Sequence, residues 1–346
     1  MTRVTFVSYD DAPPAGGQGV VLRGMRDALE ARGHQTRTIS GRGDHAVRFT
    51  RVSGRAPLDF SLHVNRHPAQ IRRLGGDVVQ VNGGPGGVIL LRDPGAPVVY
   101  TANHTYRQAH PPRSLQRLLS PLEARAYRRA SMVLAISAST ARAVSRLGVA
   151  PRRIEVLTPG VEPPLADGPA RDAGRVLFAG RWETEKGVLD AVEIMARVLE
   201  CRPGATAVVV GSGHLDDEVR RVALGSGVEV IGRVDEQRLR EEYARAAVVL
   251  IPSRYEGLGL VALEAQAAGA VVVGTDVDGL RDAVFSPDTL VDVGDIDAAV
   301  DQCLRLIDNP GERGAIAAGA QREVLAVHSW DVFAARLEQV YAALHR

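Results

Sequence analysis

Continuously apolar, β-branched runs recur along this chain at spacings too long for hairpins. In the first half these are VTFVSYD, DVVQVNG, PVVYTAN, MVLAIS and IEVLTPG; in the second they are RVLFAGR, ATAVVVGS, VEVIGR, VVLIPS and AVVVGTD. Between them lie segments whose apolar residues repeat with a helical period, first GQGVVLRGMRDALEARG, SLQRLLSPLEARAYRRA and ASTARAVSRLGV, then GVLDAVEIMARVLE, LDDEVRRVAL, EQRLREEYARA and LGLVALEAQAAG. A strand apolar on both sides needs cover on both faces, and a helix-length crossover joins parallel neighbours. The pattern predicts an α/β fold of two doubly wound, Rossmann-like domains. Open sheets of this type bind ligands at the carboxyl ends of their strands, so two of them facing one another would make an interdomain cleft.

The boundary is expected in PPLADGPARDAG, residues 163–174, whose proline, glycine and charge content suits a linker about which the domains close. This predicts an N-terminal domain over 1–164, a C-terminal domain over 170–328 and a last helix in 329–346 that crosses back to brace the first domain. The net charge of +1 hides an asymmetry: residues 1–170 carry 23 Arg against 12 acids, and the remainder carries 19 basic residues against 29 acids. A basic half can serve a phosphate-bearing substrate, an acidic partner or an anionic membrane; equally, the two halves can simply attract each other. The two cysteines, Cys201 and Cys303, have no zinc-site or disulfide-framework spacing. No stretch of this chain is long and apolar enough for a membrane span, and its start lacks a secretory pattern, so a cytoplasmic location is expected. The preference for arginine over lysine resembles high-GC codon usage, and a bacterial source is expected.

Glu256 and Glu264 in EGLGLVALE follow the strand VVLIPS with seven residues between them. Glu256 falls in the loop and Glu264 inside the next helix, whose start presents the N–H groups of Leu258, Gly259 and Leu260. A helix N-terminus carries unsatisfied donors and about half a positive charge, which suits a phosphate. At ~1.5 Å per residue, Glu264 lies roughly 9 Å beyond Leu258, about the distance from a diphosphate to the ribose of the same nucleotide. A carboxylate there can accept from both ribose hydroxyls, which leaves Glu256 free for hydroxyls of the group that the diphosphate carries. In FAGRWETEKG stand Arg181 and Lys186, the latter the single lysine of this chain. Arginine forks onto two phosphate oxygens, whereas lysine is a compact, movable charge. The competing reading makes Lys186 a surface lysine beside Glu183 and Glu185.

These motifs, with PSRY before the acidic pair, the VGSG loop containing Gly211, the IGRV of 231–234, and ISAST followed by RIEVLTPGVE, resemble the retaining GT-B glycosyltransferases of family 4, glycosyl transferases group 1, in order and spacing along nearly the whole chain. The resemblance implies sugar transfer from a nucleoside diphosphate sugar, with a UDP-sugar the expected donor. It assigns Arg181 and Lys186 to the diphosphate, Gly16 and Gly17 in PPAGGQGV to a glycine loop near it, and Arg233 and Val234 to the nucleobase. A tight turn would also explain that glycine loop. The family usually has Thr-x-His where this sequence reads Thr101, Ala102, Asn103, His104, so either Asn103 replaces the histidine or His104 serves after a one-residue shift. A second departure is TDVDGLRDAV, with Asp278, Gly279 and Asp282 where the family more often has Gly-Gly-x-x-Glu.

Asp276 and Asp278 form a D-x-D that could be mistaken for a metal site, but Arg181, Lys186 and a helix dipole already supply positive charge, so no metal and no cofactor are expected. No carboxylate is assignable as a covalent nucleophile, and a front-face displacement with retention is the implied mechanism. The acceptor, a small natural product or a lipid-linked precursor, falls to the first domain, where RSLQRLLSPLEARAYRRA, residues 113–130, either rests on a membrane surface or packs on its own core. No nucleic-acid partner is expected, and the chain is read as a monomer or homodimer. An epimerase or a non-catalytic nucleotide-sugar sensor on the same fold are the alternatives.

Overall fold

The computed structural model describes residues 1–12, 16–110 and 114–344. It divides into two compact units, Met1–Gly160 with Trp330–Arg346 and Val161–Ser329. Unit 1 is built on β1 (Arg3–Ser8), β2 (Gln35–Ser40), β3 (Val78–Gly83), β4 (Val98–Ala102), β5 (Met132–Ala135) and β6 (Ile154–Val156), all parallel, in the order β2-β1-β3-β4-β5-β6. Unit 2 has β7 (Arg175–Arg181), β8 (Thr206–Ser212), β9 (Glu229–Gly232), β10 (Val248–Ile251), β11 (Val271–Thr275) and β12 (Leu290–Val291), again all parallel, in the order β12-β11-β10-β7-β8-β9. Both are doubly wound orders, with the direction of winding reversing beside β1 in unit 1 and between β7 and β10 in unit 2.

The central strands are the apolar runs of the sequence: all six residues of β3 and all four of β10 are buried. Two edge strands escape the apolar pattern. In β2 the sequence QTRTIS has one apolar residue, Ile39, and its first half is solvated, and β12 is only two residues long. Segment 113–130 differs from a single helix: a 3₁₀ turn, Leu115–Leu119, leads into the helix Ser120–Arg129, with Pro121 in its first turn, and Arg113 lies outside the described residues. Proline fits that position because it has no N–H to leave unsatisfied.

The stretch 163–174 is not a free tether. Arg240 donates to Pro163 O at 2.7 Å, Arg171 Nη2 to Ala268 O at 2.6 Å, and Asp172 N to Arg245 O at 2.9 Å, all within unit 2. The chain instead changes units at Gly160–Val161 and Ser329–Trp330, with Val161 N donating to His328 O at 2.7 Å inside unit 2. Backbone groups that find partners inside a domain join it, whatever the composition of their side chains.

The last helix, Trp330–Ala343, packs in unit 1 on the helix Gly17–Ala31. Gly24 makes room for the Trp330 ring, since a Cβ there would stand 2.0 Å from it. Tyr341 reaches the sheet and donates to Gln80 Oε1 at 2.9 Å. Outside, Arg32 forks onto Glu338 with two bonds of 2.9 Å, and His34 Nε2 meets Glu338 Oε1 at 2.8 Å. Because His34 Nδ1 accepts from Thr2 N, Nε2 carries the hydrogen. The Arg32 guanidinium beside it holds the Glu338 carboxyl down at about 2.

A carboxyl whose pKa falls on folding contributes stability above its ordinary pKa and loses it as pH falls through the lowered one. Glu338→Gln is therefore expected to cost about 1 kcal/mol at pH 7, a drop of roughly 2–4 °C in melting temperature. In thermal melts the gap between variant and wild type should close as pH falls from about 4.5, the ordinary value of a glutamate carboxyl, to about 2. An unchanged gap at low pH would show that the side chain acts by packing alone.

Candidate active site

In unit 2 the residues predicted for a donor site gather at the carboxyl ends of β7 and β10, where the winding reverses. β7 ends on Arg181, and a 3₁₀ turn, Thr184–Lys186, follows it. Gly187 then takes φ +65°, and a Cβ on it would stand 2.1 Å from Pro252 O. That close approach brings the turn against the loop after β10. Arg254 fixes the contact from the other side, its N donating to Glu185 O at 2.8 Å and its guanidinium pairing with Asp190 at 2.9 Å.

Lys186 Nζ consequently lies 2.6 Å from Glu256 Oε1, which also accepts from Ser253 Oγ at 2.8 Å. Glu183 and Glu185 are not its partners: Glu183 pairs with His214 and stands 4.0 Å from Arg181. Glu256 is thus already engaged, contrary to the expectation that it stands free for a ligand's hydroxyls. A carboxylate that is 11% exposed finds compensation in the nearest ammonium. Arg181, 63% exposed, projects from the end of its strand.

The helix Leu260–Ala267 starts from Gly259 at φ +80°, where a Cβ would lie 2.7 Å from Leu280. Leu258 turns its side chain into the core, and the N–H groups of Leu258, Gly259 and Leu260 have no acceptor among the described residues. Gly279 allows the neighbouring turn to approach, since its Cβ would stand 2.3 Å from Glu256 O. Further along the helix, Glu264 Oε2 accepts from Tyr243 Oη at 3.1 Å, and burial pushes its carboxyl up to about 7, with Glu236 adding to the rise. Tyr243 and Glu236 sit on the helix Glu236–Arg245, which begins after Arg233 and Val234 and is capped by Asp235. The segment assigned to the base is thereby linked to the residue assigned to the ribose.

Gly211 serves the backbone. At φ +145° its Cβ would stand 1.8 Å from Gly180 O and 2.8 Å from the indole nitrogen of Trp182, a fully buried ring over which Arg220 lies at 5.6 Å. Asp276 and Asp278 both pair with Arg281, the latter at 3.2 Å. Sequence reasoning missed Ser253, Tyr243, Gly187 and Trp182; of these, only Gly187, the last residue of FAGRWETEKG, carried a local signal.

In unit 1, the turn after β1 is fixed from Asp10, whose Oδ2 accepts from Gly16 N at 3.2 Å, and Pro13, Pro14 and Ala15 of the glycine loop lie outside the described residues. Gly16 is extended at φ −162° and a Cβ there would meet nothing within 4 Å, so the turn itself does not need this glycine. Gly17 opens the helix that follows. At the end of β4, Asn103 is buried, with Nδ2 3.4 Å from Gly83 O, and His104 is half-buried; Gly84 passes so near that its Cβ would lie 2.5 Å from His104 O. The next turn is held by Glu123, which accepts from Tyr106 N at 3.1 Å and which burial pushes up to about 8.

The carboxyl ends of β7 and β10, where the winding reverses, thus gather two cations, a helix start whose N–H groups have no acceptor among the described residues and, further along that helix, the Glu264 carboxyl, at the place where open α/β sheets bind their ligands. The family model "Glycosyl transferases group 1" matches residues 173–309, and "Glycosyltransferase Family 4" matches residues 15–164. The chain belongs to this glycosyltransferase family. It is 31% identical over 247 residues to glycogen synthase of Mycobacterium tuberculosis (strain ATCC 25618 / H37Rv), covering 67% of this chain and 59% of that protein. The chain therefore spans about three-fifths of the length of that curated relative. Among solved structures it is similar to sucrose-phosphate synthase from Thermosynechococcus elongatus (TM-score 0.79, 21% identity, covering 100% of this chain and 99% of the other). It is also similar to Anabaena HepE in complex with UDP-glucose (TM-score 0.76, 18% identity, 99% and 100%). These likenesses establish the GT-B fold. No helix among the described residues is long and apolar enough to cross a membrane.

Two outcomes follow from this geometry. Gly187→Ala should destabilise unit 2 by roughly 2 kcal/mol or more, because the new methyl group meets backbone at a positive φ; urea unfolding followed by tryptophan fluorescence, to which Trp182 contributes from unit 2 and Trp330 from unit 1, measures it as an earlier transition of the unit 2 signal. Tyr243→Phe removes a donor to the ionised form of Glu264, so carboxyl NMR should show that group titrating above about 7, and an unmoved titration would discount the hydrogen bond.

Proposed function

We propose that this protein transfers a hexose from a nucleoside diphosphate sugar, with UDP as the nucleotide, to an acceptor hydroxyl with retention of configuration. The observation that carries the reading is the Lys186–Glu256 pair at the β7/β10 reversal, beside the unpartnered N–H groups of Leu258, Gly259 and Leu260. UDP is the nucleotide moiety named in the HepE complex, which shares the fold.

In this mechanism Arg181 and the helix start hold the diphosphate. Lys186 has three donors and can keep one on Glu256 while giving another to a phosphate oxygen. The carboxylate so aims the ammonium, and its second oxygen faces the sugar hydroxyls. As the bond from the anomeric carbon to the phosphate oxygen breaks, negative charge grows on that oxygen next to Lys186 and Arg181, a contribution of ~2–4 kcal/mol for each well-placed donor. The acceptor oxygen bonds to the anomeric carbon from the same side and its proton passes to the departing phosphate oxygen. Glu264 takes the ribose hydroxyls, Arg233 and Val234 lie toward the base, and Gly16 and Gly17 serve the loop beside the diphosphate. Of Asn103 and His104 we assign His104 to the reacting sugar, since Asn103 is buried against Gly83. No metal is required in this scheme, a reading supported by the engagement of Asp276 and Asp278 with Arg281. The acceptor is a small natural product or a lipid-linked precursor.

Calorimetry with UDP, GDP, ADP and TDP in EDTA tests this. UDP should bind, and Lys186→Ala and Glu264→Ala should each weaken it roughly 10- to 100-fold, as expected for hydrogen bonds to charged groups. Ribose hydroxyls favour the ionised form of a carboxyl that stands at about 7 in the free protein, so binding should release protons and tighten from about pH 6 to 8. Nucleotide binding that needs a divalent ion, or that ignores both substitutions, would sink the assignment; binding without turnover on any sugar donor would leave a sensor.

A further inference from the structure

We propose that the outward face of residues 115–129 in unit 1 is a docking surface for an anionic lipid bilayer. Three of its leucines point the wrong way for a segment that merely packs on its own core. Leu115, Leu118 and Leu122 are 72%, 71% and 44% exposed, whereas Glu123, Ser120, Ala124, Ala126 and Tyr127 are buried. The exposed positions 115, 118, 122, 125 and 129 recur at intervals of three and four, so leucines and then arginines run along one face.

The helix is held in this rotation. Glu123 accepts from Tyr106 N at 3.1 Å, and Arg107 Nε donates to Ser120 Oγ at 3.1 Å. Turning the leucines inward would break both contacts and draw Tyr127 and Ala126 out of the core. Arg125, Arg128 and Arg129 are exposed beside the leucines, and the single acidic residue between 114 and 130 is the buried Glu123. An outward face with three leucines, flanking cations and no acid matches the interface of an anionic bilayer, where the apolar groups enter the acyl boundary and the guanidinium groups meet head-group phosphates. A second copy of the chain fits poorly: a two-fold contact opposes this patch with itself and sets arginine against arginine.

The proposal is independent of the donor-site reading and its test uses no turnover. The full chain is sedimented with vesicles of phosphatidylcholine alone or mixed with phosphatidylglycerol. It should travel with the mixed vesicles and remain in solution with the neutral ones. Leu115→Ser/Leu118→Ser should abolish sedimentation while leaving the melting temperature unchanged, because both side chains are already in solvent. Arg125→Gln/Arg128→Gln/Arg129→Gln should weaken partition roughly 100-fold, about five-fold for each charge near the surface. Absence of sedimentation with the mixed vesicles overturns the proposal. So does sedimentation that the leucine substitutions leave intact, since the basic charge of unit 1 would then act without this face. A lipid-free dimer in analytical ultracentrifugation that the same leucine substitutions dissociate also overturns it, in favour of a second copy.

Discussion

The candidate donor site depends on one topological fact: β7 and β10 are hydrogen-bonded neighbours, yet the chain leaves their carboxyl ends in opposite directions. Where two crossovers diverge, neither following helix covers the strand ends, and backbone donors and loop side chains face an opening. Arg181 and Lys186 arrive from one strand and Ser253 and Glu256 from the other, so opposite charges some seventy residues apart in sequence meet at 2.6 Å. Without that adjacency Lys186 would be an ordinary solvated lysine.

The site is held by backbone approaches more than by side-chain packing. Gly187 against Pro252, Gly279 against Glu256, Gly211 against Gly180 and Gly259 against Leu280 each occupy a place where a Cβ would collide. Three of these contacts tie the loops after β7, β10 and β11 to one another, and Gly211 against Gly180 joins the ends of the neighbouring strands β8 and β7. A carboxylate and an ammonium supported in this way lose little further freedom when a ligand arrives, which is how preorganisation strengthens binding. Glu264 shows the opposite strategy. It sits in a shielded position where its charge is disfavoured, with Tyr243 offering one hydrogen bond, so an arriving pair of hydroxyl donors would find an acceptor that lacks compensation.

Unit 1 applies the same economy to a different end. Glu123, a buried carboxyl, secures the turn that follows His104 by taking the Tyr106 N–H, and in doing so fixes the rotation of the helix Ser120–Arg129. One interaction therefore sets both the loop at the end of β4 and the direction in which Leu115, Leu118 and Leu122 face.

The apolar runs and the periodic segments between them determined by themselves that the chain forms two parallel, doubly wound sheets, because a strand apolar on both faces has no other stable environment. That Arg181, Lys186, Glu256 and the helix carrying Glu264 follow strand carboxyl ends was also legible, since each stands directly after an apolar strand run. Edge strands β2 and β12 were not, being half-solvated or short, and composition misplaced 163–174, which backbone hydrogen bonds draw into unit 2. Only the tertiary structure decided that Lys186 pairs with Glu256 and not with Glu183 or Glu185, that Tyr243 holds Glu264, and that the leucines of 115–122 face outward. Local pattern fixes what each segment can become; which charges neutralise one another and which face is buried depend on neighbours distant in sequence, through desolvation and close contact that no single segment contains.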